Sequence, residues 1–209
     1  ILALPLAVVL NMRLKTRNFL RAAFFFPAVF SALVVGYLWN YILSSSSYGL
    51  INGLIASMGG STFNFFTADR ALFSVILTQV WQWTGWAMVI FLANLQSIPN
   101  ELYESATVDG ASGVRSFFSI TLPLMCPSVK IVAITGLIGG MKVFDIIYSM
   151  TSGGPGNSTQ TVIMVMMKQG ISKGFYSTGA AFGVVFFIIV LIVSTIANKL
   201  FAKWGNSIS

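Results

Sequence analysis

Long apolar runs alternate with short polar segments along the chain. Residues 1–11 are apolar but would extend only about 18 Å as a helix at 1.5 Å per residue, less than the roughly 30 Å hydrocarbon core of a bilayer. We expect them to be the end of a first membrane span. The runs long enough for a full span, which needs about 20 residues, are residues 22–43, 71–95, 123–150 and 178–201. The pattern predicts an all-α polytopic transmembrane helix bundle of about five spans, the first one truncated. We interpret residues 1–209 as a single, N-terminally incomplete transmembrane domain.

Two shorter helices are predicted between the spans. Residues 48–58 place Leu50, Leu54 and Met58 at helical spacing, which is typical of a short helix lying in the membrane interface. Residues 162–167 are apolar but too short to cross a bilayer.

The composition supports a membrane protein and excludes several other classes. The chain is 56% hydrophobic and only 8% charged, whereas soluble domains carry about 25% charged residues. Its net charge of +7 comes from basic residues beside the apolar runs, which indicates membrane orientation and no nucleic-acid partner. Because there is no histidine and a single cysteine, Cys126, we expect no catalytic residue, metal, cofactor or internal disulfide.

Residues 101–124 are the most polar interruption between two apolar runs. The ionised residues in this segment are Glu101, Glu104, Asp109 and Arg115. Such groups are expensive in hydrocarbon, so the segment lies on one side of the membrane as a structured loop.

Local signals predict two short helices in this loop. Pro99 suits the first turn of a helix, and Gly110 suits the left-handed residue that ends one. A second helix over residues 114–120 is expected to run into Pro123, which opens the next span.

The order of residues in the loop resembles the EAA loop of binding-protein-dependent ABC importer permeases. The family pattern is EAA-x3-G-x9-I-x-LP. Here it is Glu104-Ser105-Ala106, then Gly110, then Ile120-Thr121-Leu122-Pro123. Ser105 departs from the usual alanine but is also small.

The resemblance covers nearly the whole chain. The segments similar to the carbohydrate branch of the family, the maltose- and oligosaccharide-type permeases, are residues 17–21, 48–52, 94–99, 143–148 and 153–159. This resemblance implies a type I ABC importer permease core in a bacterial-type cell membrane. It also implies a function as the permease subunit of an ATP-driven oligosaccharide importer.

The same resemblance implies several partners. They are a second homologous permease subunit, a cytoplasmic ATPase dimer, an extracellular or periplasmic solute-binding protein, membrane lipid and a sugar substrate. The chain lacks the phosphate-binding pattern G-x-x-x-x-G-K-[ST], so we expect no enzyme activity here and ATP hydrolysis in a partner.

Basic residues set the expected orientation. Linkers on the side of the polar loop carry Arg13, Lys15, Arg17, Arg21, Arg115, Lys199 and Lys203, and the opposite side carries Arg70, Lys168 and Lys173. Cytoplasmic loops are enriched in Lys and Arg, so this excess predicts that the loop is cytoplasmic.

The resemblance assigns the loop, residues 97–122, to coupling with the ATPase. We expect a coupling helix in a groove of the ATPase, with Leu102, Tyr103 and Ala106 as its buried face and Glu104 at its rim. The residues assigned to this role are Leu102, Tyr103, Glu104, Ser105, Ala106, Asp109 and Gly110.

Polar and aromatic residues within two predicted spans are candidates for a solute path. Aromatic rings stack on the C–H faces of sugars and amides bond their hydroxyls, although packing between helices explains the same residues equally well. Small residues such as Gly139 leave room for a solute or a close helix. Lys142 and Asp145, three residues apart, are more simply explained as an ion pair than as a sugar contact. The candidates are Gln79, Gln82, Trp83, Trp86, Gly139, Gly140, Asp145 and Tyr148.

Three alternatives stay open. An ABC permease for another solute, such as glycerol phosphate, shares much of the pattern. An ion-coupled secondary transporter often has ionisable residues at mid-membrane and internal repeats; apart from Asp145 neither is evident here. A membrane scaffold without transport would lack an ATPase partner.

Overall fold

The computed structural model describes residues 1–12 and 14–206, and within them the regular structure is helical. The helices are α1 (Ala3–Asn11), α2 (Arg17–Phe25), α3 (Ala32–Ile42), α4 (Leu50–Ser57), α5 (Ala71–Ser97), α6 (Asn100–Val108), α7 (Gly113–Ser116), α8 (Leu122–Leu124), α9 (Cys126–Met141), α10 (Asp145–Thr151), α11 (Val162–Met167) and α12 (Tyr176–Asn206). A 3₁₀ turn, Phe26–Val29, follows α2, and π-helical turns at Phe117–Thr121 and Lys168–Ser172 follow α7 and α11. The predicted all-α class is confirmed. Arg13, one of the basic residues used for the orientation, lies outside the described residues.

Among the described residues, two unbroken helices are long and apolar enough to cross a membrane. They are α5 and the part of α12 over Tyr176–Lys203, as the runs at 71–95 and 178–201 predicted. Two bent pairs raise the number to four if each pair is one span. This agrees with the four long apolar runs of the sequence, and the assignment of α1 to a further span stays a prediction.

The apolar run at 22–43 is a bent pair of helices rather than one straight helix, and its crossing of the membrane as one span stays a prediction. The segment Arg17–Val29 and α3 are bent by 100° relative to each other. The 3₁₀ turn between them contains the buried Pro27, and Ser31 has an extended backbone with ψ of 136°. Proline has no N–H to donate and its ring clashes with the preceding turn of a helix, so the backbone breaks although the side chains stay apolar.

The run at 123–150 is also not one continuous helix, and its crossing of the membrane as one span stays a prediction. It is interrupted at Met125, and α9 then ends at Met141 before α10 begins at Asp145. Gly139 and Gly140 weaken the end of α9, because glycine loses more conformational freedom in a helix than other residues. Lys142 therefore does not share a helix with Asp145, and within the described residues no ion pair joins them. The predicted pairing is wrong.

The first of two compact units comprises Ile1–Phe26, Thr84–Gly140 and the described residues from Val190 onward. Its core is formed by Ala3, Ala7, Leu10, Ala87, Met88, Phe91, Leu92, Leu95, Ile98 and Met125. The Arg21 guanidinium donates to the Leu10 carbonyl at 3.1 Å and joins α2 to α1. Gly85 allows α5 to approach the end of α2, because a Cβ there would overlap the Phe24 carbonyl.

The second unit comprises Pro27–Trp83 and Met141–Ile189. Its core is formed by Val35, Leu43, Val75, Ile146, Ile147, Met150 and Met164. Here α10 lies directly on α3: a Cβ at Gly36 would overlap Ser149 Oγ and lie 3.1 Å from the Ile146 carbonyl oxygen. Asn40 Nδ2 donates to the Met150 carbonyl at 2.6 Å. Backbone and small side chains thus hold these two helices together.

The helix predicted at residues 48–58 is confirmed as α4. Its Asn52 is fully buried, and Nδ2 donates to the Ser44 and Phe63 carbonyls at 2.6 and 2.8 Å while Oδ1 accepts from the Phe63 N–H at 2.7 Å. Leu50 and Leu54 are exposed on its other side. Its position in the membrane interface stays a prediction.

Candidate functional site

The polar loop begins where α5 ends. Ile98 is buried and anchors the chain before Pro99, whose extended backbone (φ −59°, ψ 136°) precedes α6. Proline thus stands one residue before the helix rather than inside its first turn. Glu101 lies in that first turn, where a negative charge favours the positive end of the helix dipole.

The predicted break between the two loop helices is present. Gly110 has φ of +73°, the left-handed conformation that glycine adopts without a steric penalty. The Ala111 N–H bonds the Ala106 carbonyl across this turn at 2.8 Å, which is the long bond of a Schellman helix end. Ser112 then caps α7 by accepting from the Arg115 N–H at 3.3 Å. The loop therefore reverses at a defined turn.

One face of α6 lies against its own chain. Tyr103 is half-buried and packs against the core of the first unit, and its hydroxyl lies 2.9 Å from Thr121 Oγ1. Ala106, one turn later, is also half-buried. We therefore revise the predicted docking face, because Tyr103 and Ala106 point toward the chain rather than away from it.

The other face of α6 is open. Its exposed apolar side chains are Leu102 (42%) and Val108 (87%). The exposed residues around them, from the set assigned to coupling, are Glu104 and Ser105; Asp109 and Gly110 are also exposed, at the end of the helix. This face combines apolar side chains with negative charge.

Two spaces separate α6 from residues 113–121. One, of about 480 Å³, is lined by residues that include Tyr103, Thr107, Phe117 and Thr121. The other, of about 220 Å³, is lined by residues that include Ala106, Asp109 and Arg115. The helix is therefore loosely packed on this side. Thr121 entered the sequence analysis only as part of the motif, and nothing in the local pattern indicated its contact with Tyr103.

The glutamines of the candidate solute path are largely enclosed. Gln82 is 1% exposed, and its Nε2 donates to the Phe30 carbonyl at 3.1 Å, beside the break between the 3₁₀ turn and α3. Gln79 is half-buried, and its Oε1 is buried with no hydrogen-bond partner in the described part of the chain. The Oε1 of Gln82 is likewise buried without a hydrogen-bond partner in the described part of the chain. Gln82 thus has a structural contact that its position in the sequence did not reveal, and its assignment to the solute path stays a prediction.

The tryptophans of α5 differ in their surroundings. Trp83 is 43% exposed, whereas Trp86 packs against the core of the first unit. Trp81 forms an edge-to-face pair with Trp39, with ring centroids 5.4 Å apart. Of these three rings, Trp83 has the largest exposed fraction.

The remaining candidates are exposed. A Cβ built on Gly139 or on Gly140 meets no atom within 4 Å. Asp145 begins α10 and is exposed, and Tyr148 follows one turn later with 49% of its surface exposed. The Tyr148 ring stacks on Phe144 with centroids 5.4 Å apart. This end of α10 presents a carboxylate beside an aromatic platform.

Among the described residues, no group of three or more His, Cys, Asp or Glu side chains is arranged to hold a metal ion. Cys126 is buried in the first turn of α9.

Comparison with known proteins finds relatives over nearly all of the chain. The family described as "Binding-protein-dependent transport system inner membrane component" matches residues 1–204. The chain is similar to the trehalose/maltose transport system permease protein MalF of Thermococcus litoralis, with 36% identity over 95% of this chain and 67% of that protein. It is similar to the arabinooligosaccharides transport system permease protein AraP of Bacillus subtilis, with 36% identity over 94% of this chain and 64% of that protein. The chain thus spans about two thirds of the length of these relatives.

Two solved structures share the fold. One is a crystal structure of a bacterial ABC transporter involved in the import of the acidic polysaccharide alginate, with a TM-score of 0.86, 23% identity, and coverage of 97% of this chain and 72% of that chain. The other is the bacterial alginate ABC transporter in complex with an alginate pentasaccharide-bound periplasmic protein, with a TM-score of 0.86, 24% identity, and coverage of 98% and 72%. At this identity the likeness concerns the fold alone.

Proposed function

We propose, from the premise that this chain belongs to the family of binding-protein-dependent transport system inner membrane components, that it is a permease subunit of an ATP-driven carbohydrate importer. Sugar transport is named in several relatives. The observation that carries the proposal is the loop at residues 97–122, where a helix with one open face stands at the end of a membrane span. Such a helix can pass the motion of a soluble ATPase to the membrane.

The open face of α6 is the proposed contact with the ATPase. Leu102 and Val108 supply apolar surface for a groove, and Glu104 supplies charge at its rim. Ser105 is small and allows close approach. Asp109 and Gly110 end the helix and fix its direction, while Tyr103 and Ala106 support it from within the chain.

The proposed solute path uses the exposed aromatic residues. Trp83 and Tyr148 offer faces on which a sugar ring can stack, and Asp145 offers an acceptor for its hydroxyls. Gln79 has a buried oxygen available to a donor. Gln82 and Trp86 act as supports for the helices, and the exposed Gly139 and Gly140 permit close approach of a second permease subunit.

The loop is proposed to be cytoplasmic, with residue 158 on the outer side. The support is the excess of basic residues in the linkers on the loop's side. Single cysteines replacing Ser112 and Ser158, in a Cys126→Ser background, should react with a membrane-impermeant maleimide from opposite sides. Reaction of both from outside intact cells would refute this orientation.

The decisive test is reconstitution of the chain with its co-purifying subunits in liposomes. We expect an ATPase to co-purify and uptake of an oligosaccharide to require both ATP and a solute-binding protein. A panel of maltooligosaccharides, arabinooligosaccharides and glycerol phosphate would identify the solute class. Uptake driven by an ion gradient without ATP would contradict the proposal.

A further inference from the structure

A single side-chain hydrogen bond joins α6 to the segment that leads into α9. It links the Tyr103 hydroxyl to Thr121 Oγ1 at 2.9 Å. Within the described residues, no other side-chain hydrogen bond connects α6 to residues 113–124. Thr121 is only 6% exposed, and a hydrogen bond shielded from water is stronger than an exposed one.

Other contacts between these parts of the chain are weak. The two spaces of about 480 and 220 Å³ separate α6 from residues 113–121. Along the backbone, α6 reaches α7 only through the turn at Gly110 and the extended Ser112. Besides the packing of the Tyr103 ring on the core of the first unit, the bond at Tyr103 is the side-chain hydrogen bond through which a displacement of α6 can reach the membrane segment.

The segment at the receiving end of this bond is held by further hydrogen bonds. Thr121 closes the π-helical turn Phe117–Thr121, in which the Leu122 N–H bonds the Phe117 carbonyl. Single π-helical turns inside helices occur frequently at functional positions. Three residues further on, the Leu124 carbonyl accepts from Asn94 Nδ2 at 3.0 Å, so that α5 also contacts this short segment.

We infer that the bond between Tyr103 and Thr121 transmits the displacement of α6 to the start of α9, so that these two residues are positioning residues for energy coupling. This inference rests on the proposed function. Tyr103 carries the motion of α6, Thr121 receives it, and Asn94 keeps the receiving segment against α5. The open face of α6 is not part of this link and binds the ATPase independently of it.

The test compares variants that lose one hydroxyl and keep their size. The measurement is the amount of sugar transported per ATP hydrolysed by the reconstituted complex. Tyr103→Phe and Thr121→Val should each lower this ratio about three- to tenfold, the change in an equilibrium expected from losing one hydrogen bond. Assembly with the ATPase should be unchanged. Thr121→Ser keeps a hydroxyl and should retain the wild-type ratio.

A matched control lies on the same helix. Thr107 Oγ1 donates to the Tyr103 carbonyl at 2.8 Å, so Thr107→Val removes a hydroxyl bond within α6 and leaves the link intact. Its ratio should equal that of the wild type. The double variant Tyr103→Phe/Thr121→Val should be no worse than either single variant, because both remove the same bond.

The outcomes separate this inference from the proposed function. If the wild-type complex transports sugar, and the Tyr103→Phe complex transports as much sugar per ATP hydrolysed as the wild type, only the inference is overturned. It is also overturned if both single variants lose the ATPase or assemble poorly, because their role is then structural. A wild-type complex without ATP-driven uptake overturns the proposed function, and this inference falls with it.

Discussion

Two helix contacts in this protein are built in opposite ways. In the second unit, α10 lies on α3 so closely that Gly36 has no room for a Cβ against Ser149, and Asn40 bonds the Met150 carbonyl. In the first unit, α6 stands apart from residues 113–121 across two spaces. One side-chain hydrogen bond, from Tyr103 to Thr121, joins the two parts beside the larger space.

The difference concerns how each contact responds to force. The contact between α3 and α10 combines close approach at Gly36 with the apolar core of its unit, and such dense packing resists deformation. A contact across open space leaves a helix free to tilt about its remaining bond. The contact between α3 and α10 therefore fixes the architecture of its unit, whereas the contact of α6 leaves room for motion.

The largest expected effect comes from breaking the dense contact. Gly36→Val should destabilise the protein by about 3 kcal/mol, the upper end of the usual cost of overpacking, because the added atoms meet Ser149 and the Ile146 backbone. The measurement is the thermal unfolding midpoint of the detergent-solubilised protein. For a chain of this size each kcal/mol corresponds to about 2–4 °C.

The matched control for this substitution is Gly136→Val. A Cβ on Gly136 meets no atom within 4 Å, so its unfolding midpoint should stay within a few degrees of the wild-type value. Equal losses in both variants would show that the β-branched side chain itself, and not the contact with α10, is responsible.

The turn at the end of α6 should show the next largest effect. Gly110→Val forces a side chain into the left-handed conformation at a cost of about 1–2 kcal/mol, although space for the side chain is available. The variant should insert into the membrane and assemble with its partner subunits. The stimulation of ATPase activity by the solute-loaded binding protein should, however, fall several-fold. Gly113→Val is the control, since Gly113 has equally open surroundings and no positive φ. Full stimulation in Gly110→Val would contradict a coupling role for this turn.

The loop was predictable because its signals are local. The turn after α6 follows from the chemistry of Gly110 alone, and helices on either side follow from short-range spacing. Which face of α6 meets the chain was not predictable, since Tyr103 and Thr121 are 18 residues apart. Helical spacing places Leu102, Tyr103 and Ala106 close together on α6, but it does not show whether the rest of the chain or a partner packs against them.

The broken spans show a second limit. Hydrophobicity identified the run at 22–43, although Pro27 within it was a visible signal for a break. The hydrogen bond from Gln82 to the Phe30 carbonyl bridges 52 positions and could not be inferred from either segment. The bond gives Gln82 a structural role in this unit, and its assignment to the solute path stays a prediction.

That structural role leads to a smaller effect. Gln82→Leu removes the bond to the Phe30 carbonyl while keeping most of the side-chain volume, and should cost about 1 kcal/mol, or about 2–4 °C in the unfolding midpoint. Gln96→Leu on the same helix is the control, because Gln96 is exposed. An unchanged unfolding midpoint in Gln82→Leu would show that packing alone, without this hydrogen bond, stabilises the bend before α3.

The smallest expected effect distinguishes two exposed tryptophans of α5. Trp83 and Trp81 are similarly exposed, at 43% and 40%, and the Trp81 ring packs edge-to-face on Trp39. Removing a stacking aromatic costs on the order of 1 kcal/mol. In Trp83→Ala this loss should lower sugar transport several-fold with unchanged assembly, whereas in Trp81→Ala it should lower the unfolding midpoint instead. The two readouts are the initial rate of uptake and the midpoint, measured on the same preparations.

If Trp83→Ala transports like the wild type, then Trp83 does not contact the solute. The proposed path would then depend on Tyr148, whose ring stacks on Phe144 at the exposed end of α10.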